Sequence, residues 1–141
     1  METIRLAVFG CGRRAHLALD PALAESGFRI VAGADPLPAA RERWQAKVPG
    51  ARFYADHHEL LAAERPQAVI ITSPDGLHAD QACAALEAGA AVYCEKPLAI
   101  LAEDADRILA TARRCGGRLY VGHNMRHFPC IKAMKQLIDG L

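Results

Sequence analysis

The chain has 141 residues, of which 52% are hydrophobic and 23% are charged, and its formal net charge is +1. This length suits one well-cored domain and is short for two, and the composition is that of a folded globular protein. Because the basic residues are scattered, the sequence lacks the clustered positive charge of proteins that bind nucleic acids or membrane surfaces. We therefore expect small-molecule partners, with no nucleic acid and no membrane.

The N-terminus and the cysteines exclude further classes of protein. The first residues carry no basic segment, and the apolar run at residues 6–10 is too short for a signal peptide or a membrane span, so we expect a cytoplasmic protein. The five cysteines include no C-x-x-C pair, which argues against a disulfide framework and a zinc knuckle. His57 and His58 follow Asp56 without a further ligand at a useful spacing, and we expect no metal site.

The first predicted element is a strand at residues 4–10 that runs into G-C-G-R-R-A, a G-x-G-x-x-A turn that opens a helix. Gly10 permits the tight turn, Gly12 leaves room for a pyrophosphate, and Ala15 lets the helix and the strand pack closely. An anion would rest on the free N–H groups at the start of the helix. The motif alone is equally compatible with a plain strand-to-helix turn. Pro21 is expected to kink or divide this helix.

The second predicted strand, at residues 28–35, ends in an acid. Asp35 can accept hydrogen bonds from the adenosine ribose and repels a 2′-phosphate, which favours NAD over NADP. Asp35 is also suited to a helix cap or a turn before Pro36, and this alternative stays open. Arg41 and Arg43 are expected on the solvent face of the next helix, and a brief strand is predicted at residues 52–54.

Two later strands, at residues 68–73 and 91–95, end in polar segments. The first runs into T-S-P-D-G-L-H at residues 72–78, and the second into E-K-P at residues 95–97. Because the carboxyl ends of parallel strands form the ligand-binding edge of such sheets, we expect these segments to share one crevice. A helix capped by Asp75 follows the first segment, and its apolar stripe comprises Ala79, Ala82, Cys83 and Leu86.

The last predicted elements are a helix, a strand at residues 118–122 and a terminal helix at residues 129–141. The first of these helices carries an apolar stripe of Ala105, Ile108, Leu109 and Ala112. The terminal helix carries Ile131, Met134, Leu137 and Ile138 on its apolar side. This alternation of strands and helices predicts an α/β fold with a doubly wound parallel sheet in the order 3-2-1-4-5-6.

Together these motifs resemble the Gfo/Idh/MocA family of NAD(P)-dependent oxidoreductases, the family of glucose-fructose oxidoreductase and inositol dehydrogenase. The resemblance covers the whole chain. It rests on five segments in order: G-C-G-R-R-A from Gly10, G-A-D from Gly33, T-S-P-D-G-L-H from Thr72, E-K-P from Glu95, and V-G-H-N-M-R-H-F-P from Val121. The chain departs from the family pattern at Ala15, the third glycine position, and at His123, where an aromatic residue is more usual.

The resemblance implies a role for each matching residue. Lys96 corresponds to the active-site lysine, which contacts the substrate hydroxyl and takes part in its proton transfer, and Glu95 lies against the nicotinamide ribose. Pro97 is expected to follow a cis peptide bond. The cofactor-binding residues implied in this way are Gly10, Gly12, Arg13, Arg14, Asp35, Ser73, Pro74, Leu77, His78, Glu95, Lys96, Asn124 and Arg126.

The resemblance also implies a domain organisation. Residues 1–124 are expected to be the NAD(P)-binding Rossmann domain, and residues 125–141 a helix leading to a substrate domain that these residues do not include. The complete enzyme would be a homo-oligomer that transfers a hydride between NAD and a sugar, polyol or related hydroxy compound. We expect this chain to bind NAD, to turn over little or nothing alone, and to self-associate or swap its terminal helix.

Two other functions stay open at this point. A non-catalytic NAD-binding or sensing module would use the same turn without needing Lys96. An S-adenosylmethionine-dependent methyltransferase also places an acid after its second strand, but it has no use for the E-K-P segment.

Overall fold

The computed structural model describes residues 3–20 and 24–140, which form one sheet of six parallel strands. The strands are β1 (Ile4–Phe9), β2 (Phe28–Ala34), β3 (Arg52–Tyr54), β4 (Ala68–Ile71), β5 (Ala91–Cys94) and β6 (Leu119–Val121). Their order across the sheet is β3-β2-β1-β4-β5-β6. The predicted fold class and strand order are therefore confirmed.

Helices connect the strands along both faces of the sheet. The α-helices with described bounds are α1 (Pro38–Lys47), α2 (His57–Glu64), α3 (His78–Glu87), α4 (Ala102–Cys115) and α5 (Pro129–Asp139). Three 3-10 helices cover Arg13–Leu19, Asp75–Leu77 and Asn124–His127. The element that follows the glycine turn is thus a 3-10 helix, and the kink predicted at Pro21 lies outside the described residues.

Strand side chains alternate between two apolar cores, one on each face of the sheet. Phe9 enters the core that contains Leu86 of α3 and Ile108 of α4. Val8 enters the opposite core, where it packs with Trp44 of α1. Because β1 is buried on both faces, the turn at its carboxyl end has a fixed position in the molecule.

The two amphipathic helices differ in how well the sequence predicts their buried faces. All four residues of the predicted α3 stripe are buried. The α4 stripe is wrong in one member, because Leu109 is 39% exposed and Thr111 is buried beside Ile108 instead. α4 packs against α3, where Arg107 forms an ion pair with Asp80 at 2.8 Å. Contact with a neighbouring helix as well as the sheet therefore turns the buried face of α4 away from the predicted one.

The predicted capping of α3 by Asp75 is wrong. Asp75 begins a 3-10 helix whose backbone continues directly into α3, so Leu77 precedes α3 and no side chain caps it. A side-chain cap does occur on α2, where Asp56 accepts a hydrogen bond from the His58 backbone N–H at 2.8 Å. The helix α3 therefore begins as a continuation of this 3-10 turn and not at a capping side chain.

A buried carboxylate joins α2 to the sheet. The Glu64 side chain is 0% exposed, and it accepts hydrogen bonds from the Tyr54 hydroxyl at 2.6 Å and from Arg52 Nη2 at 2.8 Å. Arg5 Nη2 lies 3.3 Å from the same carboxylate. Two guanidinium groups and a phenol thus satisfy a charge that would otherwise be costly to bury.

Two apolar surfaces of the described chain stay uncovered. No residue of α5 is buried, and its Met134, Leu137 and Ile138 are 57–73% exposed. An open groove of about 620 Å³ lies against the sheet, and Tyr93 and Tyr120 line it. Exposed apolar surfaces of this kind favour association with another molecule or segment.

Candidate functional site

The glycine turn follows β1 and lies against the loop that follows β4. Gly10 has φ +82°, and a Cβ at this position would lie 2.5 Å from Ser73 Cα, so both conformation and space require glycine. A Cβ at Gly12 would meet nothing within 4 Å. Gly10 is therefore needed by the protein itself, whereas the open space above Gly12 leaves the backbone accessible to a bound group, as predicted for a pyrophosphate.

Asp35 lies directly beside this turn. Its Oδ2 accepts a hydrogen bond from the Cys11 backbone N–H at 2.9 Å, and its Oδ1 accepts one from the Leu37 N–H at 2.9 Å. The second bond is the local turn that the sequence left as an alternative. Each carboxylate oxygen has a second lone pair, so the same side chain can form this turn and still accept hydrogen bonds from a ribose.

Cys11 supports the turn from within the core. Burial, together with the neighbouring Asp35 carboxylate, raises the pKa of the Cys11 thiol to about 12. A Cβ at Gly33 would lie 2.6 Å from Cys11 Sγ and the same distance from Trp44. Gly33 therefore leaves space for the Cys11 thiol, and Cys11 is a neutral packing group.

The loop after β4 turns its polar side chains inward. Thr72 Oγ1 donates to the Gly10 carbonyl at 2.7 Å, and Ser73 Oγ donates to Gln81 Oε1 at 2.6 Å. Ser73 is buried, whereas Pro74 and Leu77 lie exposed at the edge of the crevice. The Ser73 hydroxyl thus donates within the protein and keeps its acceptor lone pairs, and the predicted cofactor contacts of Ser73, Pro74 and Leu77 stay predictions.

His78 joins the two loops that form the crevice. Its ring is 1% exposed, with Nδ1 2.8 Å from the Pro97 carbonyl oxygen and Nε2 3.0 Å from that of Ser73. The peptide bond between Lys96 and Pro97 is cis, as the sequence predicted. This geometry gives His78 a bracing role between the loops, and its predicted contact with the cofactor stays a prediction.

The loop after β5 borders an open cavity of about 450 Å³. Several predicted site residues line this cavity together: Arg14, Glu95, Lys96, Asn124 and Arg126. His123, the departure from the family pattern, and Met125 also line it. Arg13 belongs elsewhere, since it lines a smaller groove with Arg43 on the α1 side of the turn.

Charge in this cavity is unevenly buried. Glu95 is only 5% exposed, and its Oε2 lies 3.6 Å from Arg14 Nη1. Lys96 is exposed at the rim. The buried Glu95 carboxylate, with Arg14 beside it, can accept hydrogen bonds from hydroxyl groups. The exposed Lys96 can exchange a proton with one of these hydroxyl groups.

Tyr93 is a residue of this site that the sequence analysis missed. Its hydroxyl donates to Glu95 Oε1 at 3.2 Å, and burial followed by the Glu95 charge raises the pKa of Tyr93 to about 12. The available signal was spacing, because residues two apart on a strand lie on the same face. Tyr93 precedes Glu95 by this interval.

Neither a metal site nor a membrane span is found in the described part of the chain. No group of three or more histidine, cysteine, aspartate or glutamate side chains there could hold a metal ion. Among the helices of residues 3–20 and 24–140, none is long and apolar enough to cross a membrane.

The sequence profile of one known family matches residues 4–123, and this family is described as "Oxidoreductase family, NAD-binding Rossmann fold" (GFO_IDH_MocA). The chain belongs to this family. The family resemblance seen in the motifs is therefore confirmed, and so is the assignment of the sheet as an NAD-binding Rossmann fold.

Known relatives agree with this assignment over nearly all of the chain. A 1-carboxy-3-chloro-3,4-dihydroxycyclohexa-1,5-diene dehydrogenase of Comamonas testosteroni is 35% identical over 97% of this chain and 34% of its own length. The inositol 2-dehydrogenase of Klebsiella pneumoniae is 34% identical over 97% of this chain and 42% of its own. The chain thus spans well under half of the length of these relatives.

A solved structure shows the same fold. The WlbA dehydrogenase of Bordetella pertussis, crystallised with NADH and UDP-GlcNAcA, matches with a TM-score of 0.90 and 29% identity. The match covers 99% of this chain and 43% of that protein.

Proposed function

We propose that residues 1–124 bind NAD as the cofactor domain of a dehydrogenase, and that residues 125–141 lead into a substrate domain. The observation that carries this proposal is the hydrogen bond between the Asp35 carboxylate and the Cys11 N–H. It brings the acid suited to a ribose against the turn suited to a pyrophosphate, which is the geometry that dinucleotide binding requires.

The residues present fit the cofactor along the whole edge of the sheet. The open backbone at Gly12 would take the pyrophosphate and Asp35 the adenosine ribose, while Glu95 would hold the nicotinamide ribose. When bound, NAD supplies the hydride acceptor. A negative charge at Asp35 disfavours a 2′-phosphate, so NAD is the expected cofactor rather than NADP.

Lys96 is the proposed acid and base of the reaction. Its side chain lies exposed beside the cavity, where the neutral amine would receive the proton of a substrate hydroxyl and the ammonium would return it in the reverse direction. Arg14 balances the buried Glu95 charge, and Asn124 and Arg126 offer further donors to cofactor or substrate. The protein's contribution is thus to position the reactants and stabilise their charges.

The proposed substrate is a sugar, a polyol or a related hydroxy compound. The names of two relatives, an inositol dehydrogenase and a dehydrogenase of a dihydroxylated ring, support this class. For the complete protein we further propose a homo-oligomer in the cytoplasm. The choice among hydroxy compounds belongs to the substrate domain, so this chain alone should turn over little.

Calorimetric titration of the 141-residue chain with NAD, NADP and S-adenosylmethionine tests the proposal. We expect NAD to bind more tightly than NADP and S-adenosylmethionine not to bind. Binding of S-adenosylmethionine without NAD would contradict the proposed function and favour a methyltransferase. Equal affinity for NAD and NADP would contradict the role given to Asp35.

A further inference from the structure

Tyr93 and Glu95 project from the same face of the β5 strand and its continuation, next to the cavity. Tyr93 does not line that cavity, but its hydroxyl donates to Glu95 Oε1 at 3.2 Å. The other carboxylate oxygen, Oε2, lies 3.6 Å from Arg14. The two oxygens of Glu95 therefore have different partners, and the carboxylate has a defined orientation.

Gly122, the residue directly after β6, leaves room for the Tyr93 hydroxyl and the Glu95 carboxylate. A Cβ at Gly122 would lie 2.5 Å from the Tyr93 hydroxyl oxygen and 3.0 Å from Glu95 Oε1. Glycine at this position thus lets the phenol and the carboxylate meet. Tyr93 is therefore bonded to Glu95, a residue of the proposed cofactor site, without lining the cavity itself.

We propose that Tyr93 is a positioning residue, which holds the Glu95 carboxylate in place for the nicotinamide ribose of the cofactor. This role rests on the proposed function, since it requires NAD to occupy the crevice. A hydrogen bond to a charged group that is largely buried fixes the group in one rotamer and lowers the cost of its burial. Without the phenol hydroxyl, the partners left to the Glu95 carboxylate among the described residues would be the Arg14 guanidinium and the Lys96 backbone N–H, both at its Oε2.

The chain supplies a matched control on the adjacent strand. Tyr120 of β6 pairs with Tyr93 in the sheet register and stacks on it with ring centroids 5.6 Å apart. Its hydroxyl contacts His127 Nε2 at 2.5 Å rather than Glu95. Tyr93→Phe and Tyr120→Phe therefore remove the same atom from two stacked rings, and only the first removes a bond to the cofactor site.

Calorimetry with two probes tests the role, because ADP lacks the nicotinamide ribose that NAD carries. We expect Tyr93→Phe to weaken NAD binding about ten-fold, as for loss of a hydrogen bond to a charged group, and to leave ADP binding unchanged. Tyr120→Phe should change neither affinity. Gly122→Ala places a methyl group against Tyr93 and Glu95 from the segment after β6, and it should reproduce the selective loss of NAD affinity.

A second measurement separates positioning from general structural support. In a chain that already carries Glu95→Ala, Tyr93→Phe should cause no further loss of NAD affinity, because a residue that acts through Glu95 has nothing left to position. Unchanged NAD binding by Tyr93→Phe, an equal loss for NAD and ADP, or additive losses in the double variant would each overturn the role. Absence of NAD binding in the unaltered chain would instead contradict the proposed function, and the positioning role with it.

Discussion

At the scale of single residues, the chemistry of the site depends on which hydrogen bonds each polar side chain already makes within the protein. Asp35 uses one oxygen for the glycine turn and the other for the turn at Leu37, so it organises the site before any ligand arrives. The sequence predicted Asp35 from its place at a strand end. It did not predict the Tyr93 phenol on Glu95, because that contact depends on the space left by Gly122, the residue directly after β6.

The negative charge of Asp35 should decide between the two nicotinamide cofactors. Asp35→Asn keeps an oxygen for only one of the two backbone N–H groups and removes the charge, so NAD affinity should fall at least about ten-fold through loss of a charged hydrogen bond. Repulsion of the 2′-phosphate disappears at the same time, so NADP affinity should fall less than NAD affinity. Calorimetry of both cofactors measures the ratio, with Asp106→Asn on the exposed side of α4 as the control. A ratio equal to that of the unaltered chain would disprove this role.

At the scale of secondary-structure elements, strand positions were predictable and helix details were less so. Each observed strand lies within the bounds predicted for it, because a short apolar run bounded by turn residues is a local signal of a strand. The buried face of α4 and the start of α3 were predicted incorrectly, since contacts with neighbouring elements decided them. The Glu64 cluster had no sequence signal, as its partners lie on separate elements.

The close approach of the β1 and β4 loops should make Gly10 far less replaceable than another left-handed glycine. Gly89 has φ +83°, almost the same as Gly10, but a Cβ there would meet nothing within 4 Å. Gly89→Ala should cost only backbone strain, about 1–2 kcal/mol. Gly10→Ala adds a steric clash, which typically costs a further ~1–3 kcal/mol. Urea unfolding of both variants compares the losses in free energy of unfolding. Equal losses would show that conformation alone explains Gly10.

At the scale of the whole molecule, two apolar surfaces of the described chain are exposed. α5 and the groove over the sheet are both uncovered in the described chain, and exposed patches of this kind favour association. Their place in the complete protein is a proposal that follows from family membership and from the length of the relatives.

The isolated chain should therefore self-associate through α5. Replacing Leu137 and Ile138 with glutamate puts charges on the exposed apolar side of the helix and should shift the chain towards monomer. Lys132→Glu, on another side of the same helix, changes charge without removing apolar surface and serves as the control. Light scattering measures the molar mass of each variant. If the unaltered chain is monomeric at all concentrations, the expected self-association is wrong.

The sequence alone determined the parallel sheet, its strand order, the glycine turn with its neighbouring acid, and the residues that gather at one edge. These follow from local signals, since apolar periodicity and turn residues act over a few positions along the chain. Only the tertiary structure decided which oxygen of Asp35 meets the turn, that His78 is buried between two loops, and that the Tyr93 hydroxyl donates to Glu95. Each of these contacts depends on packing against distant parts of the chain, and their geometry exists only when packing has fixed the side chains together.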